Sequence, residues 1–309
     1  MATELLTRRR ALGLLAAAAG LPLVARASRA TAEVVTWHGR ALGAPATLIL
    51  HHPHRPAAER LLAACAAELE RLEAILSLYR PTSALSELNR AGALAAPPPE
   101  LVAILDDCRG FHAATAGAFD PTVQPLWRLY ARHFAAGGDP AGPSPAALAE
   151  ARAGVGLDAV RASRDRIALA RPGMALTLNG VAQGWITDRI TDLLRAGGVT
   201  ATLVDMGEIR AAGDRAWRVG IAGSDTVLAL TDRAVATSAP LGFAFDPGRR
   251  FTHIIDPRTG ATPRRYARVT VTAPTAAEAD ALSTGFALMT DVPPLPGVTA
   301  DLAPLPAPA

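Results

Sequence analysis

Apolar residues recur at helical spacing over residues 57–78, with acidic and basic residues between them, and this pattern predicts a long amphipathic helix. The stretch before it, residues 34–50, reads as two strands around Gly39 and Gly43. Residues 77–89 (SLYRPTSALSELN) are turn-rich, with Ser83 and Ser86 placed to cap short helices. A proline-rich break at 95–99 precedes a helix over 100–116, and the sequence Gly117 to Val123 interrupts the pattern. Residues 136–145 form a loop, and Ser144 caps a short helix over 145–153. Strands are predicted at 166–170, 175–178, 200–205, 217–222, 234–237, 252–255 and 268–273. The helix predicted at 184–196 is stopped by Gly197 and Gly198. Asp256-Pro257-Arg258-Thr259-Gly260 is a turn, and Thr275-Ala276-Ala277-Glu278 is a capping box that opens a last helix to about residue 289. From Pro293 the chain is rich in proline and alanine and is expected to be poorly ordered. Helices and strands alternate irregularly, with no repeat and no linker, so the predicted class is α+β with one domain over 31–292 and a tail over 293–309.

The first 30 residues carry a different pattern. Arg8, Arg9 and Arg10 precede an apolar run from Leu12 to Val24, and small residues follow at cleavage spacing around Ala27 and Ala30. That is the anatomy of a signal peptide, and paired arginines before a mild, alanine- and glycine-rich run fit the twin-arginine route. The alternative, a membrane anchor, needs a longer apolar run. The expected location is therefore the periplasm.

Charge changes little once this segment is set aside. The whole chain has a formal charge of +3 and a pI near 9.4, which by itself suggests a nucleic-acid partner. Loss of residues 1–30 removes five arginines and Glu4, leaving about −1. With no basic patch interleaved with aromatics, a nucleic-acid role is not expected. The sequence has no lysine, which excludes Schiff-base chemistry. Cys65 and Cys108 fall in predicted helices, where they are either buried thiols or a disulfide.

Three segments could carry chemistry. Asp280 and Thr284, four residues apart on the last helix, share a face. A carboxylate beside a hydroxyl suits a hard cation such as Mg2+, whose shell substrate phosphates complete; on spacing alone, the pair reads more often as a solvated face or a back-bonded threonine. His253 lies just before the rigid turn at 256–260, as either an active-site residue or a satisfied core histidine. Residues 178–188 (LNGVAQGWITD) pass from a strand into a helix with Gly180 and Gly184 at the junction, which reads either as backbone N–H groups exposed to an anion or as one of the many strand–helix turns that contain glycine. The glycine spacing is not that of a Walker A or Rossmann fingerprint, and there is no nucleophile elbow or metal-spaced Cys/His cluster.

Taken in order, SLYRPTSALSELN (77–89), AFDPTVQPLW (118–127), LNGVAQGWITD (178–188), VDMGEIRAAG (204–213), AVATSA (234–239), HIIDPRTG (253–260) and ADALSTGFALM (279–289) resemble the successive motifs of the ApbE family, FAD:protein FMN transferases. The resemblance covers about residues 35–290. The chain differs from the usual pattern at Gln183, at Met206-Gly207-Glu208, at Thr237-Ser238-Ala239 and at Leu42-Gly43-Ala44. What the resemblance implies is an ApbE-like, T-fold-like core of mixed helices and largely antiparallel strands. It implies Mg2+ held by Asp280, Thr284 and the Ala182 carbonyl, with Ser283 beside them. It implies a pocket for FAD, the substrate, lined by Leu42, Tyr79, Ala118, Phe119, Asp120, Asn179, Trp185, Asp188 and Ile255. His253 is the candidate for the essential catalytic residue, and Asp280 is the alternative proton acceptor. The implied partner is an acceptor flavoprotein of a membrane-associated electron-transfer complex. Two other functions fit the same residues: hydrolysis of FAD, and FAD binding by a non-catalytic maturation factor.

Overall fold

A computed structural model describes residues 33–305, so the signal peptide expected at 1–30 lies outside the described residues. The chain opens with β1 (Glu33–Ala41) and β2 (Ala44–His52), then α1 (Arg55–Leu76), α2 (Ala84–Ala91), β3 (Ala93–Ala95), α3 (Pro99–Ala114) and α4 (Gln124–Ala135). It continues with α5 (Pro145–Ala153), β4 (Val160–Ala162), β5 (Arg166–Leu169), α6 (Ala182–Ala196), β6 (Ala201–Asp205), β7 (Ile209–Gly213), β8 (Trp217–Gly220) and β9 (Val227–Leu230). The last elements are β10 (Ala234–Ser238), β11 (Tyr266–Ala273), α7 (Ala276–Phe286) and β12 (Thr299–Pro304). Seven strands form one antiparallel sheet in the order β1-β2-β6-β7-β10-β11-β12, with small sheets β3-β5-β4 and β8-β9 beside it. The α+β expectation holds.

Side-chain alternation along the central strands gives the sheet two buried faces. Val204 of β6 packs with α1, α3 and α6, whereas its neighbour Leu203 packs with Trp217, Val219 and Leu230 of the β8-β9 hairpin. In β10, Ala234 and Ala236 face α7, and Val235 faces the hairpin. Cys65 and Cys108 are free thiols buried in α1 and α3, and burial raises the Cys65 thiol to about 12.

Several elements differ from the sequence reading, each for a local reason. Residues 175–178 are extended but join no strand, because Leu176 exchanges both backbone bonds with the Asn89 side chain, at 2.6 and 2.8 Å, and Thr177 N–H donates to the Pro121 carbonyl. Residues 252–255 are also not a strand; a single bridge pairs Ala244 with Thr252. The tail expected to be poorly ordered instead forms β12, which pairs with β11 from Thr299↔Thr272 to Pro304↔Tyr266. Helix α4 and strands β3, β4, β7 and β9 were not foreseen.

Candidate functional site

Helix α7 begins where Thr275 accepts a hydrogen bond from Glu278 N–H, as its capping sequence predicts. Its first two amides, Ala276 and Ala277, both donate at 2.9 Å to the Asp188 carboxylate of α6, which also pairs with Arg210. In return, Oδ2 of Asp280 accepts from the Gly184 amide in the first turn of α6 at 3.1 Å. Each helix thus lends an aspartate to the positive end of the other. The helices come so close that a Cβ on Gly184 would overlap the Ala276 carbonyl oxygen.

This crossing collects oxygen atoms. Asp280 is 4% exposed, and one turn along α7 the Thr284 hydroxyl stands 3.3 Å from Ser238 Oγ at the end of β10. Ser238 Oγ is 2.8 Å from Ser283 Oγ, which donates to the Asp280 carbonyl at 3.0 Å. Gly180 packs against Thr284; a Cβ there would stand 3.0 Å from Oγ1. Ala182 opens α6 between Gly180 and Gly184. The structure therefore brings Ala182, Asp280, Ser283 and Thr284 together, with Ser238 as a further hydroxyl that neither spacing nor periodicity signalled. Among the described residues no group of three His, Cys, Asp or Glu side chains is placed to hold a metal ion, and the oxygens named here are one carboxylate and neutral hydroxyls.

Two further candidates, Asn179 and Tyr79, reach the same place beside Gly180. Asn179, beside Gly180, donates to the Tyr79 hydroxyl at 3.2 Å, and Tyr79 is 60% exposed. Next to Tyr79, Arg80 pairs with Glu73 at 2.5 Å, and Glu73 accepts from the Leu42 amide at 2.6 Å, which holds the β1-β2 turn against α1. Leu42 has a φ of +48°. His253 is on the loop after β10: its Cε1 approaches Gly242, and its Nδ1 lies 3.1 Å from the Phe243 carbonyl. A carbonyl only accepts, so Nδ1 is the donor in this contact.

The other named side chains do structural work. Ala118 and Phe119 are buried in the apolar core, Phe119 edge-on to Phe111 at 6.2 Å. The Asp120 carboxylate accepts from the Thr122 amide and hydroxyl at 2.8 and 2.6 Å, and from Leu157 N–H. Trp185 is buried and donates to Asp107 of α3 at 3.0 Å, with Arg189 stacked on its ring; burial holds the Asp107 carboxyl above the usual range. Ile255 packs with Leu126 and Tyr130.

One titratable group beside the crossing escaped the sequence reading. Asp205, at the end of β6, accepts from Gly207 N–H at 2.9 Å, and burial raises its carboxyl to about 6. Gly207, with φ +105°, packs against the Gln183 side chain, which in turn donates to the Met206 carbonyl at 3.3 Å. A separate charged cleft of about 510 Å³, lined by Arg71, Glu100, Asp106, Arg109, Arg164 and Arg189 among others, lies against α1 and α3 away from the oxygen cluster.

Known proteins share this fold. The ApbE family model matches residues 42–292. An FAD:protein FMN transferase of Haemophilus influenzae is 30% identical over 241 residues, covering 71% of this chain and 69% of the relative. One from Treponema pallidum is 33% identical over 252 residues, covering 70% and 67%. The apo crystal structure of the Pseudomonas stutzeri flavinyl transferase ApbE superposes with a TM-score of 0.72 at 27% identity, over 84% of this chain and 85% of that one. Vibrio cholerae flavin transferase ApbE superposes at 0.69 with 26% identity, over 83% and 87%. By the extent of the family match and by its likeness to these relatives, the chain belongs to the ApbE family.

Proposed function

We propose that this protein transfers FMN from FAD to a serine or threonine hydroxyl of another protein, releasing AMP, with Mg2+ as cofactor. The observation that carries the reading is the convergence of Asp280, Ser283, Thr284 and Ser238 on the first turn of α6, with His253 on the adjoining loop. The donor set fits magnesium: one carboxylate oriented by Gly184 N–H, neutral hydroxyls, and the Ala182 carbonyl at the helix start. Bound there, the ion supplies charge relief to the diphosphate. The residues of the chain do the rest. The amides at the start of α6 present a positive helix end to the phosphates. Tyr79, Asn179 and Leu42 form the rim against which the flavin lies. His253 Nε2 takes the proton as the acceptor oxygen attacks the FMN-side phosphorus and the bond to the AMP oxygen breaks, an effect worth roughly 10²–10⁴ in rate.

Mass spectrometry of a co-expressed acceptor tests the reading: a covalent FMN adduct on a serine or threonine is expected. Release of AMP from FAD with no adduct assigns hydrolysis instead. Asp280→Asn keeps an acceptor for Gly184 N–H yet removes the charge, so transfer is expected to fall about 10²–10³-fold with the melting temperature little changed. Undiminished labelling by that variant removes Asp280 from the ion site. His253→Ala is expected to lose labelling while still binding FAD, measured by flavin fluorescence.

The acceptor in this reading belongs to a membrane-associated electron-transfer complex, and the enzyme works in the periplasm after twin-arginine export. Support for the route comes from Arg8 and Arg9 ahead of the apolar run. Replacing both with lysine is expected to leave the protein in the cytoplasm on cell fractionation; normal export of that variant refutes the route.

A further inference from the structure

The reaction has two substrates, and the rim built from Tyr79 and Asn179 serves only one of them. From Thr284 a second path runs through Ser238 and Ala239 into the loop 239–253, and this loop carries an exposed aromatic surface. Phe243 is 46% exposed. It stacks on Trp127 of α4 at 6.5 Å and 21°, meets Phe245 edge-on at 5.3 Å, and meets His253 edge-on at 6.2 Å. The rings below it continue into the core through Tyr130 and Phe251, so the surface is rigidly backed. Among the described residues, Tyr79 and Phe243 are the two large aromatic side chains left conspicuously exposed, Tyr79 against Asn179 and Phe243 against His253.

Charge lies beside the rings. The Arg249 guanidinium donates to the Leu241 carbonyl, two residues before Phe243. The nearby acid, Asp246, is buried and committed elsewhere: it accepts from Phe251 N–H at 2.9 Å and from Arg250 Nε at 3.4 Å. No carboxylate pairs with Arg249 among the described residues. The loop therefore presents an apolar ring and an uncompensated positive charge next to His253.

We infer that Phe243 and Arg249 form the docking surface for the acceptor protein, receiving an apolar side chain on the ring and an acidic side chain at the guanidinium, and so delivering the target hydroxyl to His253. This rests on the transfer reading above. A buried aromatic anchor flanked by a charge is the common composition of a strong contact point between proteins, and an arginine at its edge steers an acidic segment toward it.

The experiment uses the full-length enzyme and the acceptor identified by its FMN adduct, with Phe243→Ala, Phe243→Leu and Arg249→Glu. Each of Phe243→Ala and Arg249→Glu is expected to raise KM for the acceptor about tenfold, the loss of about 1.4 kcal/mol of contact, with kcat at saturating acceptor and FAD affinity by fluorescence near wild type. Phe243→Leu is expected to recover most of the loss, and the wild-type KM is expected to rise with salt while that of Arg249→Glu does not. Unchanged KM in both variants overturns the inference, as does a loss of FAD affinity equal to the loss of acceptor affinity, which assigns the ring to the flavin. If Phe243→Ala fails to fold, Arg249→Glu on its exposed loop decides alone. Absence of any adduct with the wild-type enzyme is a different result: it sinks the transfer reading, and the docking surface with it.

Discussion

At the scale of single residues, Asp205 is a carboxyl at odds with its surroundings. Its ordinary pKa near 3.8 is raised to about 6 because burial disfavours the charge, and one bond from Gly207 N–H offsets this only in part. A carboxyl whose folded value lies above its unfolded value stabilises the fold fully below pH 3.8, and that contribution is lost as pH rises through 6. Across this window the fold is expected to lose about 2–3 kcal/mol through this group. Asp205→Asn is therefore expected to raise unfolding stability at pH 7 and to change it little at pH 4, as read by urea denaturation. An equal gain at both values contradicts the assignment. Most residues of the oxygen cluster were readable because they sit at fixed offsets: Asp280 and Thr284 by helical spacing, Ser283 and Ala182 by resemblance. Ser238 and Asp205 were not readable, since a hydroxyl or carboxylate at the end of a short strand has no periodicity to mark it. Asp188 illustrates the converse, a residue visible in a motif whose visible bonds go to the amides of another helix.

Among the elements, the crossing of α6 and α7 decides whether the oxygen cluster exists. Gly184 is where the backbones approach, and Asp188 and Asp280 close the contact from either side. Gly184→Ala is expected to cost about 3 kcal/mol, at the upper end for overpacking, and to abolish labelling, whereas Gly197→Ala, at the far end of α6, is expected to leave labelling intact. Comparable activity in both variants would show that the close approach is not required. The long helices α1, α3, α6 and α7 were legible because their apolar faces repeat, and α6 and α7 also carry a terminating glycine and a capping threonine. Helix α4 was not, because it follows Asp120-Pro121 and has Pro125 in its first turn, so its start resembles a loop; proline there costs nothing, as those amides have no partner within the helix. The strand predicted at 175–178 has the right residues, but its backbone bonds go to the Asn89 side chain and the Pro121 carbonyl, a partnership that only the folded chain reveals.

For the molecule as a whole, the seven-stranded sheet gathers the turn after β6 and the end of β10 at one end of its strands, and the helices supply the other half of the site. The far end of the sheet is closed by β12, whose alanine- and proline-rich sequence reads as a tail because an edge strand needs few large apolar residues and tolerates proline. Removing residues 293–309 is expected to uncover β11 and lower the melting temperature, with self-association by light scattering; a truncated chain that stays monomeric and melts unchanged would show that β12 contributes nothing. The groups that meet at the oxygen cluster come from residues as distant in sequence as Tyr79, Asn179, Ser238, His253 and Thr284. Such separations delay closure until most of the chain is in place. A ribosome-bound fragment lacking α7 therefore lacks Asp280, Ser283 and Thr284, and the oxygen cluster closes only when the last helix docks.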